Sequence, residues 1–96
     1  MTNDINQSFD RIEALLEFPA DFPIKVIGEP VEDFVETIGS VVTTHVPSFD
    51  VGTITQSESR SGRFVSLTVQ VQVESREQLQ TLYMTLAEHK MVKLVI

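Results

Sequence analysis

Four acidic residues in the first half of the chain are spaced so that a helix would place them on one face. They are Glu29, Glu32, Asp33 and Glu36. Carboxylates grouped in this way can hold a divalent cation weakly or contact a basic partner. Calcium sites collect oxygens from a turn that contains Asp and Gly, and the sequence has no such loop here. Because carboxylates also stabilise the positive end of a helix dipole, a solvated helix N-terminus explains the cluster, and no metal ligands are predicted.

A polar stretch over residues 57–63 contains two arginines, several hydroxyls and Gly62. Arg60 and Arg63 can bind an anion, although polar hairpin loops are often simply mobile connections. The candidate ligand or partner surface therefore comprises these two arginines, the four carboxylates above and Gly28, which follows the first predicted strand.

The two histidines, His45 and His89, fall at predicted helix C-termini, where a partial positive charge is favourable. Neither has a second ligand four residues away, so helix capping explains them better than a shared metal site. The sequence also lacks the Gly-x-Ser-x-Gly nucleophile turn and the glycine-rich phosphate and dinucleotide loops. We therefore predict no catalytic residues and no cofactor.

Length and composition indicate one globular domain. The chain has 96 residues, of which 42% are hydrophobic and 22% charged, and it contains no cysteine. This excludes disulfides and thiolate metal sites, as well as collagen-like or fully disordered chains. The net charge is −7, and the acidic residues concentrate in residues 1–50. An acidic surface repels phosphate backbones, which argues against nucleic acid and anionic membranes and favours a basic partner.

Other features argue against the same two classes of ligand. The predicted central strands carry Phe64 at one end but no platform of aromatic side chains for stacking RNA bases. No apolar run approaches the length of a membrane helix, and the first residues do not resemble a signal peptide. The expectation is a cytoplasmic protein that binds neither nucleic acid nor membrane.

Hydrophobic periodicity in the first half predicts two helices and one strand. Apolar residues at helical spacing, Ile5 to Leu16, predict a short N-terminal helix. The β-branched run Ile24–Ile27 predicts a strand, and an apolar stripe over 30–46 predicts a helix with Pro30 in its first turn. Gly39 interrupts that stripe and suggests close approach of a strand or another helix.

The second half predicts three strands and one helix. Residues 51–56 form a strand that leads into the polar loop, and strict alternation over Val65–Val73 gives a long strand with one buried face. Ser75 and Gln78 form a capping-box pattern at the start of the next helix. The apolar run Met91–Ile96 is the last strand.

The resulting order predicts an α+β, ferredoxin-like βαββαβ sandwich. Its four antiparallel strands follow the order 4-1-3-2, and both helices cover one face. We expect residues 1–14 to be a partly helical extension and residues 15–96 to be the domain. Strand 2 and the last strand lie at the edges. The apolar last strand can template pairing with another chain, although Lys93 discourages it. A homodimer through an edge strand or the open sheet face is therefore an alternative to a monomer.

Three short motifs resemble the YbeD-like bacterial proteins, a family of unknown function. The first is Leu-Glu-Phe-Pro followed by an aliphatic-Lys-aliphatic strand and Gly, over residues 15–28. The second comprises Ser59, Gly62, Phe64 and Ser66, and the third is Leu82-Tyr83 followed by the strand 92–96. The family is similar in fold to ACT regulatory domains, which implies a ferredoxin-like sandwich. ACT modules hold an effector beside a glycine-containing turn, which Gly28 matches, whereas Glu29 and Pro30 depart from that pattern.

Together these features favour a small, non-enzymatic regulatory or adaptor domain that acts by binding a protein partner. The alternative is an ACT-like module that senses a small metabolite near Gly28. A small enzyme without a recognisable motif is the third interpretation. The sequence names neither the partner nor the ligand.

Overall fold

The computed structural model describes residues 17–96. Its strands and helices follow one another in the order β-α-β-β-α-β. The elements are β1 (Ala20–Gly28), α1 (Phe34–His45), β2 (Thr55–Glu58), β3 (Val65–Val73), α2 (Arg76–Glu88) and β4 (Val92–Val95). A single turn of 3₁₀ helix, Val51–Thr53, precedes β2. The predicted N-terminal helix lies outside the described residues.

The four strands form one antiparallel sheet in the order β2-β3-β1-β4. This confirms the predicted ferredoxin-like topology. The two central strands pair along nine residues, from Ala20 opposite Val73 to Gly28 opposite Val65. Because side chains alternate along a strand, each central strand contributes one apolar face to the core.

Helices and sheet enclose a single apolar core. Its members alternate along the central strands and recur at helical spacing on α1 and α2, with Phe34, Ile38 and Val42 from the first helix and Leu79, Leu82 and Leu86 from the second. The opposite face of the sheet carries mostly exposed side chains. The helices therefore cover one face, as the sequence predicted, and leave the other open.

The first strand is longer than the four residues predicted and includes Pro23. Hydrogen-bonded and non-hydrogen-bonded pairs alternate in an antiparallel ladder. Lys25 and Ile96 exchange two backbone hydrogen bonds. In the described part of the chain, the residues of β1 before Lys25 have no partner strand on the β4 side. The ring nitrogen of Pro23 faces that unpaired side, so a missing N–H costs no ladder bond there.

The first helix starts at Phe34, so the prediction that Pro30 begins it was wrong. Val31, which was assigned to the apolar stripe, is 45% exposed. Phe34 is almost fully buried, and its ring lies against Gly28 at the end of β1. Residues 29–33 connect the end of β1 to the start of α1, where the Phe34 ring enters the core.

The second strand starts at Thr55, not at Val51 as predicted. Asp50 accepts a hydrogen bond on its carboxylate from the amide of Gly52, at 2.9 Å, and so opens the 3₁₀ turn. Val51 of that turn packs over Gly39, where an added Cβ would lie 3.0 Å from a methyl group of Val51. The close approach expected at Gly39 is therefore made by this turn.

The start of α2 follows the predicted cap. Gln78 donates its backbone N–H to Oγ of Ser75 at 3.1 Å. Its side-chain amide accepts from the backbone of Glu74 and donates to the carbonyl of His45 at the end of α1. One glutamine therefore joins the start of α2 to the end of α1, and both histidines lie at helix C-termini as predicted.

Candidate protein-interaction surfaces

Gly28 lies in a closed environment. A Cβ atom at this position would come within 2.5 Å of the carbonyl oxygen of Met91 and 2.6 Å of the Phe34 ring. Its hydrogen atoms therefore face packed protein, which explains the glycine without a ligand.

Glu29 follows Gly28 and forms an exposed ion pair with Lys93, at 3.5 Å. Together with Val31, Lys90 and Met91 these residues line an open groove of about 250 Å³ at the end of the sheet. Exposed ion pairs contribute little to stability, about 0–1 kcal/mol. The pair therefore leaves both charges available to another molecule.

The remaining predicted carboxylates do not share a helix face. Glu32 and Asp33 precede α1, and only Glu36 lies in its first turn. All three are exposed. Within residues 17–96, no three acidic, His or Cys side chains come together as a metal site.

The loop between β2 and β3 uses several of its polar groups internally. Ser59 Oγ accepts from the amide of Phe64, and Ser61 Oγ accepts from that of Arg63. Gly62 adopts a positive φ of 73°, a conformation that favours glycine. These bonds hold the turn, and the arginines at 60 and 63 are exposed on it.

The β4 edge of the sheet is partly covered. Lys25 and Ile96 form a hydrogen-bonded pair, so alternation directs the backbone groups of Val95 away from β1. Tyr83, from α2, donates its hydroxyl to the carbonyl of Val95 at 3.0 Å. With Lys93 beside it, this edge is less open to another strand than its apolar sequence suggested.

Tyr83→Phe tests this contact. Burial raises the pKa of Tyr83. The native state therefore retains the phenol proton at alkaline pH values at which the unfolded chain has lost it. The free energy of unfolding consequently falls as the pH rises above the unfolded pKa of about 10. The variant should lose about 1 kcal/mol at neutral pH and show a shallower alkaline decline. Urea unfolding at several pH values measures both effects. An unchanged alkaline slope would contradict the assignment.

The opposite edge, β2, is open. Ser59 donates its amide to the carbonyl of Phe64, and alternation along the ladder then directs the backbone groups of Gln56 and Glu58 away from β3. All four residues of β2 are exposed. β2 therefore presents outward N–H and C=O groups, whereas on β4 the hydroxyl of Tyr83 covers the carbonyl of Val95.

A groove of about 240 Å³ runs between this edge and the start of α1. Its floor is apolar and includes Phe34, Val35 and Val65. Glu32 and Glu58 stand at its sides. The groove therefore combines an apolar floor, negative walls and a free strand edge.

The open face of the sheet carries an apolar patch. Ile27 pairs with Leu94 across β1 and β4, and Ile96 pairs with Lys25 in the adjacent row. Leu94 is 46% exposed and Ile96 61% exposed. Such side chains on a bare sheet are available to a partner.

Comparison with known proteins places the chain among bacterial relatives. A family model described as "Protein of unknown function (DUF493)" matches residues 13–96. The chain belongs to this family. A UPF0250 protein of Janthinobacterium sp. (strain Marseille) is 51% identical over 87 residues, which is 91% of this chain and 96% of the relative. UPF0250 proteins of Nitrosomonas europaea and Ralstonia nicotianae are 42% and 46% identical over 84 residues, 88% of this chain and 97% and 87% of those relatives.

Membership of DUF493 confirms the family predicted from the three sequence motifs. The relatives' names assign no activity, and similarity to ACT domains stays a prediction. No helix within residues 17–96 is long and apolar enough to cross a membrane.

The β2 groove was missed at the sequence level. The groove brings together Glu32, from the connection before α1, and Glu58, the last residue of β2, which are distant in the sequence. The Asp50-Val51-Gly52 turn was the available signal for where β2 begins. An Asp carboxylate that accepts a hydrogen bond from the amide two residues later favours a turn over a strand.

Proposed function

We propose that this DUF493 domain is a non-enzymatic adaptor that binds an extended, basic segment of a partner protein along β2. The free edge beside the acidic groove is the observation that carries the proposal. A partner strand that pairs with the outward backbone groups of Gln56 and Glu58 would extend the sheet.

Charge supports a basic partner. Glu32 and Glu58 stand on the groove walls, and the chain carries a net charge of −7. Lys or Arg side chains on the groove face of the added strand would meet these carboxylates, while their aliphatic stems would lie along the apolar floor. Main-chain bonds supply affinity in this mode, and the groove supplies selectivity.

Gln56→Pro tests strand addition because it removes an outward N–H. The β2–β3 ladder does not use that N–H, so the free energy of unfolding should change by less than about 1 kcal/mol. The probe is a synthetic octapeptide of alternating Lys and Val, titrated into labelled protein and followed by NMR. We expect shifts at β2 and at least tenfold weaker binding by the variant.

Charge-reversed variants supply the control. Glu58→Lys should weaken peptide binding, whereas Glu88→Lys makes the same charge change on α2 and should alter it less. An octapeptide of alternating Glu and Val should not bind. Equal binding of both peptides, or binding unaffected by Gln56→Pro, would contradict strand addition in the acidic groove.

Metabolite sensing is a second candidate, favoured by the groove that Glu29, Lys90 and Lys93 line at the end of the sheet. The two ammonium groups suit a carboxylate, and Glu29 suits an amine. A thermal-unfolding panel of amino acids discriminates the two functions. A ligand at 100 times its dissociation constant adds about 2.7 kcal/mol of stability, and Lys93→Ala should abolish that shift. No shift with any amino acid would count against this candidate.

A further inference from the structure

The β2 groove adjoins the groove at the end of the sheet. The latter, here called the sheet-end groove, is the one that Glu29, Val31, Lys90, Met91 and Lys93 line. Val31 lines the β2 groove as well, and its side chain is 45% exposed. A peptide segment that leaves one groove can therefore enter the other across an exposed apolar side chain.

The pairing register shows how far apart the charged walls of the two grooves are. Glu58 pairs with Val65, and Val65 pairs with Gly28. Gly28 pairs in turn with Val92, so one row of residues crosses all four strands. Glu58 stands on the wall of the β2 groove, and Lys93 of the sheet-end groove directly follows Val92. Three strand spacings separate the two ends of the row by about 14 Å, which about four or five extended residues can span.

The two grooves differ in charge. Glu32 and Glu58 stand beside the β2 groove, whereas the sheet-end groove has two ammonium groups, of Lys90 and Lys93, against the one carboxylate of Glu29. The ion pair between Glu29 and Lys93 leaves both side chains more than half exposed, so a second carboxylate can approach the lysines. An acidic side chain therefore suits the sheet-end groove as a basic one suits the β2 groove.

We propose that one segment of the partner occupies both grooves. Its basic residues lie along β2, and an acidic residue about four or five positions beyond the contact with Glu58 lies beside Lys90 and Lys93. An apolar residue between the two charged parts contacts Val31 where the segment crosses from one groove to the other. This inference rests on the proposed binding along β2 and adds a second determinant of selectivity, because a purely basic segment fills only one groove.

Extended peptides test whether the second groove is used. The alternating Lys and Val octapeptide is compared with versions that carry Gly-Ser-Leu-Ser-Glu-Glu after it or Glu-Glu-Ser-Leu-Ser-Gly before it. Matched peptides replace the two glutamates with glutamines, and blocked termini leave charge only on side chains. At least one acidic extension should lower the dissociation constant about fivefold relative to its glutamine counterpart, with NMR shifts at Lys90 and Lys93. The terminus that gives the gain shows the direction of the segment along β2.

Single lysine variants locate the acidic contact. Lys93→Gln should remove most of the gain that the two glutamates provide. Lys25→Gln removes the same charge from the open face of the sheet and should leave that gain intact. Because both variants change the net charge equally, they should have similar effects on binding of the unextended octapeptide. Thermal unfolding of each variant shows that it is folded.

Three results would overturn this inference and leave binding along β2 intact. Equal affinity of the acidic and glutamine extensions, while Gln56→Pro still weakens the octapeptide, would show that the segment does not enter the sheet-end groove. A gain that persists in Lys93→Gln would place the acidic contact elsewhere. Free glutamate that binds as tightly as the extended peptide would assign the groove to a small molecule. Failure of every peptide to bind would instead reject the proposed function, and this inference with it.

Discussion

Replacing Gly28 with alanine is expected to destabilise the domain by about 3 kcal/mol, at the upper end of overpacking costs. The added methyl group would lie 2.5 Å from the Met91 carbonyl oxygen and 2.6 Å from the Phe34 ring. The carbonyl belongs to the backbone of the residue just before β4 and cannot rotate aside. The whole end of the sheet would have to shift.

Chemical denaturation of Gly28→Ala measures this effect, and Gly39→Ala is the matched control. The new methyl at Gly39 would meet a methyl group of the exposed Val51 at 3.0 Å, and alanine gains about 1 kcal/mol in a helix over glycine. Gly39→Ala should therefore be close to neutral. Similar losses at both sites would show that Gly28 is not special in its packing.

Phe34→Ala should cost about 4 kcal/mol of unfolding free energy, within the usual range for a buried aromatic. The ring is 1% exposed, contacts Gly28 and contributes to the floor of the β2 groove. Its removal opens a cavity where β1, the start of α1 and that groove meet. Peptide binding at β2 should weaken together with stability.

Phe64→Ala is the control for the aromatic truncation. Phe64 is 40% exposed near the hairpin loop, so its loss should cost about 1 kcal/mol or less, as for most surface changes. Denaturant midpoints of the two variants give the comparison. Equal losses would mean that the core assignment of Phe34 is wrong.

Local sequence patterns predicted most of the architecture. Alternation over Val65–Val73 defined the central strand, and Ser75 with Gln78 defined the start of α2. Both patterns depend on residues that are close together in the sequence, and tertiary packing overrides neither of them. The strand order followed from the element sequence and the handedness of crossovers.

The errors arose where distant contacts decide the local structure. Val31 and Phe34 both fit the apolar stripe, but only Phe34 reaches Gly28, so α1 starts at Phe34. Similarly, the apolar sequence of β4 indicated an open edge. The hydroxyl of Tyr83, twelve residues before Val95, covers part of it.

The candidate site was predicted only in part. Glu32 was among the predicted partner contacts, but Glu58 was not, and the edge expected to template pairing was the last strand, not β2. The predicted cluster placed Glu29 and Glu32 on one helix face, whereas they line different grooves. Their positions depend on the connection at residues 29–33, which has no periodic pattern.

Site-specific photo-crosslinking in bacterial cells tests the adaptor proposal most directly. A photoreactive residue replaces Gln56 on β2 or, as control, the exposed Gln80 on α2. The proposal predicts a covalent adduct at position 56 that involves a basic segment of another protein and disappears in Glu58→Lys. Adducts at position 80 alone, or adducts at position 56 that persist in Glu58→Lys, would contradict binding at the β2 edge.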